Sequence, residues 1–214
     1  MITIVPSLAS ADQLNLEKQL SKLKKVKNIH LDIEDGNFVN NITFGMKTIR
    51  AVAAFTPQAL DAHLLVMDPE PWIDQLLALG IKKIAVHIES ARYPAVLLHK
   101  IRTAGGQAGL AFNCMASTDR ALPYVDDVDY VLIMTAEPDG RMQRFNPHIL
   151  DKITYARSML PPRISIMVDG GIDRTVLPQV VDAGADAIVI GRTIWEAPEP
   201  AEQYESLLRE INER

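Results

Sequence analysis

The sequence predicts a (β/α)8 barrel built by a single domain that spans residues 1–214. Three observations predict it. Short apolar runs recur eight times, and each is followed by a longer segment whose apolar residues are spaced three and four apart. Glycines stand where helices should end, and no linker-like or low-complexity stretch divides the chain. Eight units in 214 residues give about 27 residues each, near the compact end of the range for such barrels.

The predicted strands are the eight apolar runs at residues 3–6, 29–33, 62–66, 84–88, 108–112, 130–134, 164–168 and 187–190. Helical patterns lie between them, for example at residues 15–25, 70–79 and 175–183. The positions just after three helix C-termini are expected at Gly80, at Gly105 with Gly106, and at Gly184. Because strands and helices alternate, the strands should run parallel and can close into a barrel.

An open, doubly wound sheet is the alternative to a closed barrel. Such a sheet normally carries a Gly-rich turn of the form GxGxxG after its first strand, whereas this chain has "PSLASAD" there. The barrel is therefore favoured. In a barrel the functional groups collect at the carboxyl ends of the strands, so those positions are the ones to search.

Composition and charge narrow the class of partner. The formal net charge of −5 and the pI of about 5.5 disfavour a nucleic-acid or anionic membrane surface, and favour a small molecule. Cys114 is the single cysteine, so no internal disulfide is possible. The start "MITIVPSLAS" lacks a basic region followed by a long apolar run, and no stretch reaches the roughly 18 apolar residues of a membrane span. We expect a cytoplasmic protein.

The stretch "NIHLDIEDGNF" at residues 28–38 begins as an alternating strand with one apolar and one ionisable face. Side chains alternate with period two, so His30 and Asp32 share a face. His63 lies at the end of the third strand and Asp169 at the end of the seventh. Two histidines and two aspartates from three strands thus converge on one end of the barrel. This ligand set suits one divalent ion of Zn, Fe, Mn or Co.

Each of these residues also has an ordinary structural interpretation. A single histidine at a strand end is more often a hydrogen-bonded core or rim residue than a ligand. Asp169 alone could cap the helix that follows it, although the "DGG" turn also offers backbone N–H groups to an anion. Met134, at the end of the sixth strand, is at most a pocket wall. The metal interpretation depends on four groups converging.

Several motifs together resemble the ribulose-phosphate 3-epimerase family. They are "PSLASAD", "HLDIEDGNFVNNITFG", "AHLLV", "VHIES", "LIMTAEP", "VDGG" and "IGRTIW", in the family's order and across almost the whole chain. The resemblance implies a TIM barrel of the ribulose-phosphate-binding type. It implies that the metal ligands are His30, Asp32, His63 and Asp169, with Asp32 and Asp169 doubling as the acid/base pair. It also implies that Ser7 helps to orient the substrate and that the protein forms a homo-oligomer, either a dimer or a hexamer.

The chain departs from the family pattern around the predicted pocket. Glu34 stands where the family usually has Met, Asn37 where it has His, and Asn40 where it has Pro. The loop after strand six reads "PDGRMQ" instead of the family's "PGFGGQ". The turn after strand eight is Gly191-Arg192-Thr193 instead of "GSA". These changes leave the implied metal and acid/base set intact. They make a related ketose phosphate, such as an allulose 6-phosphate-like hexulose phosphate, an alternative to ribulose 5-phosphate.

The predicted reaction is metal-dependent 3-epimerisation of a sugar phosphate through an enediolate. Two carboxylates from strands two and seven would act on opposite faces of one carbon. The phosphate would meet N–H groups of Gly170, Gly171, Gly191 and Arg192. A sugar-phosphate decarboxylase or lyase on the same barrel is the first alternative, and a non-catalytic sugar-phosphate-binding barrel is the second.

Overall fold

The computed structural model describes residues 2–138 and 143–213, and it confirms the predicted barrel. Eight strands form one parallel sheet in the order β1-β8-β7-β6-β5-β4-β3-β2. Their bounds are β1 Thr3–Pro6, β2 Asn28–Glu34, β3 Ala59–Leu65, β4 Lys83–His87, β5 Gln107–Phe112, β6 Tyr130–Met134, β7 Ser165–Asp169 and β8 Ala187–Ile190. The predicted strand ends are correct to within three residues.

Helices fill most of the connections between strands. Their bounds are α1 Leu16–Lys22, α2 Met46–Phe55, α3 Glu70–Ala78, α4 Pro94–Thr103, α5 Ile149–Met159, α6 Leu177–Asp182, α7 Arg192–Trp195 and α8 Pro200–Asn212. Two details differ from the prediction. The pattern at residues 15–25 is a short 3₁₀ turn followed by α1, and the β5–β6 connection is the 3₁₀ helix Thr118–Tyr124, whose interior Pro123 has no N–H to donate.

The glycines predicted to end helices do so. Gly80, Gly105 and Gly184 all have positive φ, the left-handed conformation that favours glycine after a helix. At Gly80 the next residue, Ile81, donates its N–H to the carbonyl of Leu76, which closes the last turn of α3. Each turn redirects the chain into the following strand.

The barrel closes where β1 meets β2. β1 pairs with β8 in register from Thr3 opposite Ala187 to Pro6 opposite Ile190, but its link to β2 is the single parallel bridge between Ser7 and His30. The seam therefore brings the residue after β1 against the first ionisable residue of β2. This is the point of the sheet from which the site is built.

Two apolar layers hold the barrel together. The larger lies between the sheet and the helices, and the smaller fills the barrel interior with Val5, Ala85, Ala111, Tyr130, Leu132, Met134, Met167, Ala187 and Val189. The interior is thus a packed floor beneath the carboxyl ends of the strands.

Within the described residues, none of the helices has both the length and the apolar composition needed to cross a bilayer.

Gly109 leaves room for the Tyr130 ring in this interior layer. A Cβ added at Gly109 would overlap the ring of Tyr130, which is itself buried. We expect Gly109→Ala to destabilise the fold by about 1–3 kcal/mol through overpacking. Thermal unfolding measures this, with Gly45→Ala as the control because a Cβ there meets nothing within 4 Å. Equal melting temperatures for the two variants would contradict the packing argument.

Candidate metal and substrate site

Strand β2 presents alternate residues to opposite sides of the sheet, as the sequence pattern predicts. Ile29, Leu31 and Ile33 belong to the apolar layer beneath the helices, and all three are fully buried. His30 and Asp32 lie on the other side and are buried as well. The strand therefore carries its ionisable groups towards the barrel axis, where they meet groups from β3 and β7.

The four predicted metal ligands come together at the carboxyl end of the barrel. His30, Asp32, His63 and Asp169 each offer one ligand atom, and these atoms all lie within 4.8 Å of one another. An oxygen of Asp32, Oδ1, is 3.1 Å from His30 Nε2 and 3.2 Å from His63 Nδ1. The same His63 Nδ1 is 3.4 Å from Asp169 Oδ2. Nitrogen and carboxylate atoms in this arrangement can hold a divalent cation.

The environment of His30 fits a metal ligand. Its Nδ1 contacts the buried carboxylate of Asp61, whereas its buried Nε2 has only the Asp32 carboxylate beside it, at 3.1 Å and not aligned as a regular hydrogen bond. Because Asp61 holds the Nδ1 proton, loss of the other ring proton on metal binding would leave the lone pair on Nε2, which faces the other three groups. Burial opposes a charge on the ring, but the carboxylates of Asp32 and Asp61 outweigh it and raise the pKa of His30 well above its usual value. The same negative charge would attract a cation.

A second chain of contacts orients His63. Its Nε2 is 2.8 Å from His87 Nε2, and His87 Nδ1 is 3.1 Å from Glu89 Oε2. Burial lowers the pKa of His87 to about 4, so this ring is neutral at pH 7 and carries one N–H. Glu89 accepts that N–H at Nδ1, which leaves His87 Nε2 to accept from His63. Loss of the other ring proton of His63 on metal binding would then leave its lone pair on Nδ1, beside Asp32 and Asp169.

The two aspartates have different electrostatic environments. Burial disfavours the charged form of Asp32, but the charge and hydrogen bonds of His30 and His63 outweigh it and hold the pKa of Asp32 well below its usual range. Ser7 Oγ also donates to Asp32 Oδ2 at 2.5 Å. Burial, together with the nearby charge of Asp32, raises the pKa of Asp169. The pair is thus arranged so that one carboxyl is ionised while the other more readily keeps a proton.

A cavity of about 580 Å³ opens above these groups. On one side it is lined by residues of β2, β3 and the loop after β2, and on the other by the turns after β6, β7 and β8. The lining includes Ser7, Asp32, Glu34, Asn41, Thr43, Leu65, Met134, Gln143, Asp169, Gly170, Gly171, Gly191 and Arg192. The volume suits a small molecule.

Glycine is required in the turn after β7. Gly170 and Gly171 both have positive φ, and a Cβ on Gly171 would lie 2.5 Å from the backbone nitrogen of Phe145. Thr135 Oγ1 donates to the carbonyl of Gly170 at 2.6 Å, which ties this turn to the end of β6. Across the cavity rim, Arg192 Nη2 donates to the carbonyl of Gln143 at 2.8 Å. The three turns therefore support one another around the cavity.

The structure separates the sequence-level alternatives for individual residues. Asp169 does not cap the following segment, because Asp173 accepts the N–H groups of Thr175 and Val176 there. Met134 lines the cavity, as predicted for a pocket wall. Of the departures from the family pattern, Glu34 lines the cavity, whereas Asn37 is exposed and bonds back to Asp35. Arg141 lies outside the described residues.

Sequence reasoning missed the groups that orient the histidines. Asp61 of β3 pairs in register with His30 of β2. Glu89 lies two residues after His87, the last residue of β4, and contacts its ring. One signal was present for each. Asp61 is two residues before His63 on the same face of β3, and Glu89 is two residues after His87, in the turn that follows β4. The pairing register between strands, which decides that Asp61 meets His30, is not readable from one sequence.

Comparison with known proteins gives a consistent result. A family model described as the ribulose-phosphate 3 epimerase family matches residues 3–195. The ribulose-phosphate 3-epimerase of Schizosaccharomyces pombe is 32% identical over 213 residues, covering 97% of this chain and 93% of that protein. The ribulose-phosphate 3-epimerase of Treponema pallidum is 37% identical over 201 residues, covering 90% and 91% respectively.

Solved structures share the fold. Orotidine 5'-phosphate decarboxylase from Pyrococcus horikoshii OT3 superposes with a TM-score of 0.73 at 20% identity, covering 98% of this chain and 99% of that one. KGPDC from Streptococcus mutans superposes with a TM-score of 0.74 at 14% identity, covering 100% and 98%. At these identities the likeness shows the barrel fold alone.

The Asp61–His30 contact generates a prediction about metal affinity. Asp61→Asn removes the charge that fixes the His30 ring, and we expect the affinity for a divalent transition metal to fall about 10- to 100-fold. Competition with a chromophoric chelator measures this. Asp12→Asn, at an exposed turn, is the matched control. Parental affinity in the Asp61→Asn variant would show that this contact does not orient a ligand.

Proposed function

This chain belongs to the ribulose-phosphate 3-epimerase family and is an isomerase, and we propose that it epimerises C3 of a ketose phosphate in a metal-dependent reaction. Ribulose 5-phosphate with xylulose 5-phosphate is the first candidate pair, and a hexulose phosphate such as allulose 6-phosphate is the second. The observation that carries the proposal is the convergence of Asp32 and Asp169 from β2 and β7 on one buried cluster with His30 and His63.

Epimerisation beside a ketone removes a proton from one face of a carbon and returns a proton to the other face. In the proposed cycle the Asp32 carboxylate accepts the C3 proton, and the C3–H electron pair forms the enediolate. The Asp169 carboxyl then donates its proton to the opposite face of C3. In the reverse direction the two aspartates exchange roles. The opposite pKa shifts of Asp32 and Asp169 support these starting protonation states.

A divalent cation fits the four groups, and we propose His30, Asp32, His63 and Asp169 as its ligands. When bound, a Zn, Fe, Mn or Co ion would polarise the substrate ketone and offset the negative charge that develops on the enediolate oxygens. The residues around it have separate tasks. Asp61 and the His87–Glu89 pair hold the two imidazole rings, and Ser7 holds the Asp32 carboxylate.

We propose that the phosphate lies against the turns after β7 and β8. The N–H groups of Gly170, Gly171, Gly191 and Arg192 are the proposed donors, and the Arg192 guanidinium adds charge-assisted bonds. Arg192 lines the cavity and uses Nη2 for the carbonyl of Gln143, which leaves further N–H groups for a ligand. Met134 would form part of the wall beside the reacting carbon.

Two other functions are less well supported. A decarboxylase or lyase with an enediolate intermediate would be expected to carry a lysine beside the carboxylates, and none of the described residues that line the cavity is a lysine. A pure sugar-phosphate-binding barrel has no need of two carboxylates with opposite pKa shifts around one site. Epimerisation uses every buried ionisable group of the cluster.

The proposed partner is a small sugar phosphate, not a nucleic acid or a membrane, in keeping with the net charge of −5. We further propose a cytoplasmic homo-oligomer, a dimer or a hexamer. A ribulose-phosphate 3-epimerase named as a cytoplasmic isoform, from Oryza sativa subsp. japonica, is 31% identical over 214 residues, covering 97% of this chain and 93% of that protein.

The two-carboxylate scheme predicts that turnover exchanges the C3 proton with solvent. In deuterium oxide, deuterium should enter C3 of the substrate and product, and Asp169→Asn should slow epimerisation by about 10²- to 10⁴-fold. A panel of ketose pentose and hexose phosphates identifies the substrate in the same assay. Epimerisation without label, or near-parental turnover by Asp169→Asn, would rule out this role for Asp169.

The proposed phosphate contact predicts a selective effect of Arg192→Ser. Charged hydrogen bonds contribute about 1.5–3 kcal/mol, so phosphorylated substrate should bind roughly 10- to 150-fold more weakly. The loss should be mainly in KM, because the phosphate is remote from C3 and is held similarly in the ground and transition states. Arg163→Ser, which breaks an exposed pair with Asp126, is the control. Equal effects on phosphorylated and unphosphorylated ketoses would remove Arg192 from the phosphate site.

A further inference from the structure

Glu34 adds a carboxylate to the cavity beside Asp32 and Asp169, and neither the metal cluster nor the proton transfers account for it. It is the last residue of β2, on the same side of the strand as His30 and Asp32, and it is buried. It lines the cavity but is not one of the four residues whose ligand atoms converge within 4.8 Å. A buried carboxylate facing a substrate cavity is costly unless a polar group meets it there.

The loop after β2 builds a structured wall around this carboxylate. Asn41 Nδ2 donates to Glu34 Oε2 at 2.5 Å, and Thr43 Oγ1 accepts the backbone N–H of Glu34 at 3.1 Å. The Thr43 hydroxyl in turn donates to the carbonyl of Asp32 at 2.5 Å. Asn41 and Thr43 also line the cavity. Glu34 and Asn41 therefore form a fixed acceptor and carboxamide pair, which we name the Glu34–Asn41 pair.

The position of this pair in the barrel identifies the part of the substrate that it faces. Going round the closed sheet, β8 is two strands from β2, and β7 is three strands away. The turns proposed for the phosphate and the loop after β2 thus line different parts of the cavity, with β1 between them. In a ketose phosphate the phosphate and C1 are at opposite ends of the carbon chain, with C3 between them. With C3 at the two aspartates and the phosphate at the β7 and β8 turns, C1 lies towards β2 and β3.

We propose that the Glu34–Asn41 pair is a binding subsite for the C1 hydroxymethyl group, and that it restricts the enzyme to ketose phosphates carrying a hydrogen-bond donor at C1. This inference rests on the proposed epimerase function. An ionised carboxylate only accepts hydrogen bonds, and a hydroxyl can donate to Glu34 while accepting from the Asn41 amide. A C1 methyl group offers neither, and would strip water from Glu34 without replacing its bonds.

The test compares two substrates that differ only at C1, xylulose 5-phosphate and 1-deoxyxylulose 5-phosphate. Solvent deuterium entering C3 is followed by NMR, because this readout needs no coupling enzyme. For the metal-loaded parent we expect kcat/KM to favour the hydroxylated substrate by about 10- to 100-fold. Glu34→Leu should reduce this ratio to about one, mainly through the hydroxylated substrate, with metal content unchanged.

Two further variants make the result specific. Asn41→Ala removes the partner of Glu34 without altering the strand, and it should also lower the ratio. Glu202→Leu makes the same chemical change on the exposed side of α8 and should leave the ratio at the parental value. A ratio near one in the parent, or a parental ratio in both Glu34→Leu and Asn41→Ala, overturns the subsite while the exchange itself upholds the epimerase function.

Absence of exchange with both substrates would instead overturn the proposed function. Calorimetric binding of the same two compounds to the metal-loaded protein then decides the subsite separately. Tighter binding of the hydroxylated compound by the parent, lost in Glu34→Leu, supports the subsite. Equal binding, or no binding of either compound, overturns it.

Discussion

The carboxylate of Asp32 is the group on which the whole site depends. It lies at the seam where β1 and β2 close the barrel, and it contacts Ser7, the residue after β1, and His63 of β3. Its own strand supplies His30 on the same face. Barrel closure and the site therefore share one contact, because the seam residue Ser7 donates a hydrogen bond directly to the carboxylate. A change that opened the seam would also separate the groups proposed to do the chemistry.

Buried negative charge explains why this arrangement favours a cation. Asp32, Asp61 and Asp169 are all buried, and no lysine or arginine pairs with any of them among the ion pairs of the described residues. Uncompensated carboxylates in a barrel interior are strongly destabilising, so protonated histidines or a bound metal must balance them. Although burial opposes a charge on the rings, the neighbouring carboxylates raise the pKa values of His30 and His63, because a positive charge on either ring balances their negative charge. A divalent ion would replace those protons, so metal uptake should be coupled to proton release.

Much of this organisation is readable from the sequence, and the remainder has a physical reason for being hidden. The period-two pattern at residues 28–34 and the rule that function gathers at strand ends were enough to bring His30, Asp32, His63 and Asp169 to one place. The orienting contacts from Asp61 and Glu89 depend on strand register and ring rotation, which local patterns do not encode. The 3₁₀ helix between β5 and β6 was likewise missed, because apolar spacing alone does not distinguish it from an α-helix.

We propose that His30 and His63 hold a single cation through ring nitrogens whose lone pairs are positioned by the buried partners Asp61 and His87. Anomalous diffraction from crystals of the metal-loaded protein, recorded at the absorption edge of the metal, tests it most directly. We expect one strong peak about 2.0–2.2 Å from His30 Nε2, His63 Nδ1 and oxygens of Asp32 and Asp169. A peak elsewhere, or coordination by His63 through Nε2 with its bond to His87 broken, would contradict it.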